Sequence, residues 1–165
     1  MVVAEIEAAQ THDLRRRVLR DGRPENLAFP EDERPGAFHL GVRQTPAGPL
    51  LAVASFSPET TPHRPGRSGT RLRGMATEHA CQGRGIGRRL LEDAIRRLRS
   101  DGVEVLWANG RDEALGFYQR LGFDIVGDGF LAGPAGDIPH HVVVLDLGAT
   151  QWRREVGQGP PPTPR

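Results

Sequence analysis

A change of hydrophobic period across a few residues constrains this chain more than any other feature. Thr70 to Thr77 (TRLRGMAT) alternates in the manner of a strand, whereas Ile86, Leu90, Leu91, Ala94, Ile95 and Leu98 recur at helical spacing. Between the two runs lies Gln82-Gly83-Arg84-Gly85-Ile86-Gly87. A strand must therefore pass through glycine-rich backbone into a helix expected over residues 85–100 and stopped by Gly102. The first turn of a helix carries unpaired N–H groups and the positive end of its dipole. Phosphate oxygens satisfy both, and glycine lets the backbone approach them without a Cβ in the way. Three glycines at alternate positions exceed what a bare turn needs, and Arg84, Arg88 and Arg89 add positive charge beside them. This segment is expected to hold a phosphorylated cofactor.

The rest of the chain supplies a frame for that unit. Val2 to Ala8 suggests a first strand. Asp13 is placed to cap a helix from Leu14 to about Arg20, with Leu14, Val18 and Leu19 inward and Arg15, Arg16, Arg17 and Arg20 mostly on a solvated face. Residues 21–36 are turn-rich. Phe38, Leu40 and Val42 alternate, then Leu50, Ala52, Ala54 and Phe56, with a hairpin turn between them. Residues 57–69 have no large apolar residue to bury and are expected to form a mobile loop. Gly74 interrupts the next strand, which points to a bulge or a close approach by another group. Val103, Val105 and Trp107 alternate, Asp112 caps a second helix ending at Gly122, and residues 124–131 and 141–147 read as a closing antiparallel pair. The order is strand, helix, three strands, helix, strand, helix, two strands. It specifies a single α/β domain over residues 1–150, with a mixed, mostly antiparallel sheet of six to seven strands and a central β-α-β-α-β segment. A proline-rich tail over residues 151–165 is expected to be disordered.

Composition removes several function classes. The net charge is +1, which gives no reason to expect nucleic acid as a partner. All 22 basic residues are arginine, so a nucleoside-triphosphatase loop, which needs Gly-Lys-Ser or Gly-Lys-Thr, is excluded. A dinucleotide loop fits poorly as well, because its third glycine belongs at the sixth position and here stands at the fifth. One cysteine, Cys81, excludes an internal disulfide and a cysteine-based zinc site. His140 and His141, with Asp137 nearby, invite a metal reading, but adjacent strand residues point to opposite faces, so no metal is expected. No apolar run has the length to span a bilayer and the start lacks a signal-peptide pattern, so a cytoplasmic protein is the expectation.

With the frame in place, two segments resemble a known family. LRGMATEHACQGRGIGRRLLEDAIRRL followed by ANGRDEALGFYQRLGF is similar to the signature of the GNAT superfamily of acyl-CoA-dependent N-acetyltransferases. The resemblance covers residues 71–123, about a third of the chain. It implies that acetyl-CoA lies where the fourth and fifth strands splay. Its pyrophosphate would rest on the loop formed by Gln82, Gly83, Arg84, Gly85, Ile86, Gly87 and Arg88. Backbone of Met75, Ala76 and Thr77 would pair with the pantetheine arm, and Asn109 and Arg111 would contact the cofactor. The implied activity is acetyl transfer to a primary amine in a ternary complex. A non-catalytic acyl-CoA-binding module of the same fold is the alternative.

The chemistry asks for an acid near the departing sulfur and a base near the amine. Tyr118, the only tyrosine, stands where the family commonly places the acid. Strand four offers Arg71 and Arg73 but no carboxylate, so Glu78 and His79 are the first candidates for the base, with His39, His140 and His141 behind them. Cys81 lacks a partner base and is expected to be a bystander. The first helix and the following loop should border the acceptor, which makes Phe29 and His39 candidate substrate contacts. A small-molecule or protein amine is the expected partner, and exposed edge strands near the C-terminus suit a homodimer.

Overall fold

The computed structural model describes residues 1–23 and 27–148, so the expected proline-rich tail lies outside the described residues. Seven strands form one sheet: β1 (Val2–Ile6), β2 (Phe38–Arg43), β3 (Leu50–Pro58), β4 (Gly69–Thr77), β5 (Val105–Arg111), β6 (Asp124–Ala132) and β7 (Ile138–Asp146). Their spatial order is β1-β2-β3-β4-β5-β7-β6. Every neighbouring pair is antiparallel except β4 and β5. The final strand enters between β5 and β6, which leaves β6 at an edge with Ile125 and Leu131 exposed.

Two helices follow the expected positions. Helix α2 (Ile86–Ser100) buries Ile86, Leu90, Leu91, Ala94, Ile95 and Leu98, the residues its period selects. They pack against Phe38, Leu40, Phe56, Leu72, Leu106 and Val143 from one face of the sheet. Arg97 lies over Phe38, its guanidinium carbon 3.8 Å from the ring centre. Helix α3 (Leu115–Arg120) follows a 3-10 turn at Asp112–Ala114, so the helix expected from Asp112 begins with a tighter turn. Tyr118 is buried on α3, edge-on to Phe117 and Phe123 at 5.3 Å each.

The first helical segment departs from expectation. It is assembled from a 3-10 turn at Ala8–Thr11, a short helix α1 (His12–Leu14) and a π-helical turn at Arg15–Leu19. Glu7 rather than Asp13 starts it, its N–H donating to the Gln10 side chain at 2.8 Å. Asp13 instead pairs with Arg16 and Arg17 on the outside, at 3.1 and 2.9 Å. Arg15 is not on the solvated face. It is 1% exposed and sits against the opposite face of the sheet from α2.

Strand β4 carries the irregularity that Gly74 announces. Between Val53 and Ser55 of β3 the partners step from Ala76 to Arg73, so β4 holds one extra residue. Gly74 sits there at φ +57°, and a Cβ on it would lie 2.7 Å from Arg15 Nε and 2.8 Å from Phe29 Cε2. Gly74→Ala is expected to lower stability by about 2–4 kcal/mol, from left-handed strain plus overpacking against a buried guanidinium. Gly66→Ala, at φ +74° with open space around it, isolates the strain alone and should cost much less. Thermal denaturation of both variants checks this, and equal losses would remove the packing argument.

The segment between β3 and β4 is also fastened more firmly than expected. Arg64 Nε donates to Asp146 at 3.0 Å, Arg67 to the same carboxylate at 3.1 Å, and Trp107 Nε1 to the Glu59 carbonyl at 2.9 Å. Thr61 within it is buried. Polar anchors, rather than apolar burial, hold this loop.

Candidate active site

Parallel pairing of β4 with β5 runs only from Gly69–Val105 to Leu72–Ala108. Beyond it β5 continues against β7 alone, while Arg73, Ala76 and Thr77 of β4 pair only with β3. The bulge at Gly74 turns β4 away, and the backbone edge of Met75, Ala76 and Thr77 is left facing a gap. An open strand edge is a template for an extended partner carrying amide groups.

The glycine-rich loop closes one end of that gap. Gly83 and Gly85 have φ +74° and +76°, and a Cβ on either would meet nothing within 4 Å. Their lack of side chains is therefore not a packing need of the protein by itself. Gly85 is the N-cap of α2, with no side-chain cap and no acid in the first turn, so the helix start is left for an external acceptor. Gln82 Nε2 donates to the Thr77 carbonyl at 3.1 Å and ties the loop to the end of β4. Gly87 lies where a Cβ would come within 2.8 Å of Met75 Cε, which brings α2 close to the strand.

These parts form one cleft of about 970 Å³. Met75, Ala76, Thr77, Gln82, Gly83, Gly85, Ile86, Gly87, Arg88, Asn109, Arg111, Tyr118 and Phe29 all line it. Arg84 stands on the loop but points to solvent, outside the lining. Cys81 is half-buried at the mouth with a free thiol. Among the described residues no three potential metal ligands converge. No helix among them is long and apolar enough to cross a membrane.

Tyr118 reaches the cleft from α3. Its ring occupies the space above Gly110, where a Cβ would approach Tyr118 Cε2 to 3.0 Å. Burial pushes its pKa up to about 12, so the phenol stays protonated at any ordinary working pH.

Two other expected residues are turned to different tasks. Glu78 caps the 3-10 turn at His79–Cys81 and is hydrogen-bonded to Arg17, and it does not line the cleft. The Arg17 guanidinium holds its carboxyl below the usual range, which weakens it as a base. His39 is buried with Nδ1 2.7 Å from Ser55 Oγ, and it too is outside the lining. It belongs to a polar cluster beneath the cleft. There Arg15 donates to Asp32 at 2.8 and 3.1 Å, to the Leu27 carbonyl at 2.6 Å and to Ser55. The Arg15 guanidinium also lies 4.1 Å from the centre of the Phe29 ring, and the Phe29 N–H donates to Asp32 at 3.1 Å. The cluster thus props Phe29 at the edge of the cleft.

His140, a minor candidate in the sequence, lines the cleft and is buried. Its Nδ1 is 2.7 Å from the Ile138 carbonyl, which can only accept, so Nδ1 is the donor there and Nε2 is the nitrogen that bears the lone pair whenever the ring is neutral. His141 faces the other way and meets Asp112 at 2.7 Å. Val18, Leu19 and Arg20, which carried no motif, also line the cleft, as do Phe117 and Leu121 of the second signature segment.

A sequence model described as the Acetyltransferase (GNAT) family matches residues 4–123. The chain is 36% identical over 146 residues to the uncharacterized N-acetyltransferase YitI of Bacillus subtilis (strain 168), covering 86% of this chain and 93% of that protein. An aminoglycoside 6'-N-acetyltransferase solved with coenzyme A superposes with a TM-score of 0.70 at 17% identity, over 89% of this chain and 97% of that one. An acyl-CoA N-acyltransferase from Pseudomonas aeruginosa superposes with a TM-score of 0.67 at 21% identity, over 87% and 97%. At those identities the two structures speak for the fold.

Proposed function

The chain belongs to the acetyltransferase (GNAT) family and is an acyl-CoA-dependent N-acetyltransferase, and from that premise we propose how its own cleft carries the reaction. The observation that carries the reading is the open edge of β4 ending in an uncapped, glycine-rich helix start. The residues present fit acetyl-CoA. Backbone of Met75 to Thr77 suits the amide-bearing pantetheine arm, and the amides from Gly83 to Arg88 suit the pyrophosphate. Arg88, at the cleft mouth, adds charge to that end. Bound acetyl-CoA supplies an acetyl thioester, whose transfer to an amine leaves an amide and a free thiol.

The protein's part is to stabilise charge on the departing sulfur and to take a proton from the amine. Tyr118 donates a hydrogen bond to the departing sulfur, and its raised pKa makes stabilisation of developing charge the larger share of its role. An ordinary thiol, near 8.5, is more acidic than this phenol, so full proton transfer from Tyr118 is uphill. His140 Nε2, with its lone pair free, accepts the proton that the substrate ammonium loses. Glu78, engaged by Arg17, is the poorer candidate for that step. Phe29 forms part of the acceptor wall. The reading locates the protein where acetyl-CoA and a small amine or an exposed protein amine are both present.

Thiol release from acetyl-CoA across a panel of amines tests the activity. Turnover should appear with at least one amine, and Gly85→Val should raise the KM for acetyl-CoA at least about tenfold. A β-branched residue at φ +76° costs on the order of 1–2 kcal/mol and turns the loop amides away from the phosphates. Tight acetyl-CoA binding with no turnover on any amine would instead support a non-catalytic binding module.

A further inference from the structure

The chain is nearly neutral, with 22 basic and 21 acidic residues, yet its cleft is not. Among the described residues Arg20, Arg71, Arg73, Arg88, Arg111 and Arg120 line it against one carboxylate, Glu113. An arginine-only composition explains why the cations are arginine. It does not explain why acids are missing from the lining of a chain that holds almost as many acids as bases.

The six divide by position. Arg88 and Arg120 belong to α2 and α3, at the phosphate end, and Arg88 is paired with Glu92 at 2.7 Å. The other four serve the opposite wall. Strand alternation puts Arg71 and Arg73 on the face away from Leu72, which packs under α2. Arg71 lies over Trp107 at 4.8 Å on that same face. Arg111 alternates in register with Trp107 along β5 and stands opposite His140 in the ladder. Arg20 ends the π-helical turn above them.

Neutralisation on this wall is incomplete. Glu59 is shared among Arg71, Arg73 and Arg34 at 3.6, 3.9 and 3.9 Å, and Arg73 also meets Glu31 at 3.3 Å. Arg111 has, among the described residues, only the exposed Glu113, at 3.9 Å. Among the described residues Arg20 has no carboxylate, and its one hydrogen bond goes to the neighbouring Leu19 carbonyl at 3.2 Å. The Nε atoms of Arg20, Arg71 and Arg73 are buried with no hydrogen-bond partner. Burial, with Arg111 and Arg15 close by, pushes the Arg20 guanidinium down from its ordinary value. Partly buried guanidinium groups with donors to spare favour an anion.

We propose that the acceptor is a small primary amine carrying an anionic group, a carboxylate or a phosphate, which Arg20 and Arg111 hold while the amine faces His140. This rests on the acetyltransferase reading and adds the acceptor's chemical class. Polycationic amines meet the same wall as repulsion. Phe29, Val18 and Leu19 line the adjoining apolar side and accommodate a hydrocarbon part.

The test uses the full chain, saturating acetyl-CoA and matched amines: phenethylamine against phenylalanine, and ethanolamine against serine and O-phosphoethanolamine, with kanamycin and spermidine as polycations. At least one member that bears a carboxylate or phosphate should exceed its match lacking that group by about tenfold or more in kcat/KM, as one charge-assisted contact provides. The serine and O-phosphoethanolamine arms tell carboxylate from phosphate. Arg20→Gln, and separately Arg111→Gln, should shrink that ratio to below about threefold. Arg20→Gln should leave the KM for acetyl-CoA unchanged. A readout without turnover is the thermal shift given by N-acetylphenylalanine, which both variants should lose. Preference for neutral or polycationic amines, or an unchanged ratio in both variants, overturns the proposal while leaving the acetyltransferase intact. No acetylation of any amine by a protein that still binds acetyl-CoA in calorimetry overturns the enzyme reading, and this proposal with it.

Discussion

Tyr118→Phe is expected to lower kcat by about a hundredfold or more while leaving the KM for acetyl-CoA and the melting temperature nearly unchanged. The argument is geometric first. Tyr118 is buried between Phe117 and Phe123, so phenylalanine keeps the packing and removes only the hydroxyl. That hydroxyl belongs to a cleft-lining residue and makes no hydrogen bond to another described residue. Its loss should therefore be felt in the transition state, where charge grows on sulfur, and little in binding or folding. The raised pKa adds a second signature. A phenol near 12 does not ionise below about pH 10, so the wild-type rate should show no alkaline fall assignable to Tyr118 in that range. Steady-state kinetics over pH 6–10 on both proteins checks each part. A variant that keeps more than half of the wild-type kcat would take Tyr118 out of the reaction.

What the sequence disclosed and what it hid follow from one distinction. Helix α2 was legible because six apolar residues at one spacing have a single way to reach the core. The glycines of the loop were legible because left-handed backbone leaves a compositional trace, and Gly74 announced its bulge for the same reason. Polar anchoring leaves no such trace. The β3–β4 loop lacks apolar residues and reads as loose, yet Asp146, far along the chain, collects Arg64 and Arg67. His39 and Glu78 are chemically apt bases whose neighbours, Ser55 and Arg17, claim them. Arg15 was misplaced for a different reason. Arg15 stands three and four residues before Val18 and Leu19 and so shares their helical face, and Thr11, Leu14, Arg15 and Val18 form a stripe at three- and four-residue steps. Charge argued for solvent, and the phase beginning at Thr11 was the better guide.

Asp32→Ala should be the most destabilising single change at this site, at about 3–5 kcal/mol, because it strands Arg15 inside the protein. Arg15 and Asp32 are almost fully buried, and their two hydrogen bonds form a fork, with Ser55 and the Leu27 carbonyl accepting further donors and Nε left without a partner. For a domain of this size the loss corresponds to a fall of roughly 10 °C in melting temperature. Replacing both partners, as Arg15→Met with Asp32→Leu, should recover much of it, since a buried pair offsets little more than its own desolvation. The acetyltransferase rate should not return, because Phe29 loses the guanidinium beneath its ring and the amide partner on Asp32. Acid sharpens the test. Burial raises the Asp32 carboxyl, but hydrogen bonds from Arg15 and the Phe29 N–H outweigh it and leave the group below 3.8. Its contribution is therefore present above that value and lost as pH falls through the lower folded one. Burial depresses His39 below 6.5 despite the attraction of Asp32, so the unfolded chain takes up that proton first and stability begins to fall below about pH 6.5. Denaturant unfolding at pH 7.5, 5.5 and 3.5 should show two successive losses in the wild type. Asp32→Ala should diminish the lower one, the remainder coming from carboxylates such as Glu78 that are also held below their ordinary value, and an undiminished lower loss in that variant would assign all of it to those carboxylates.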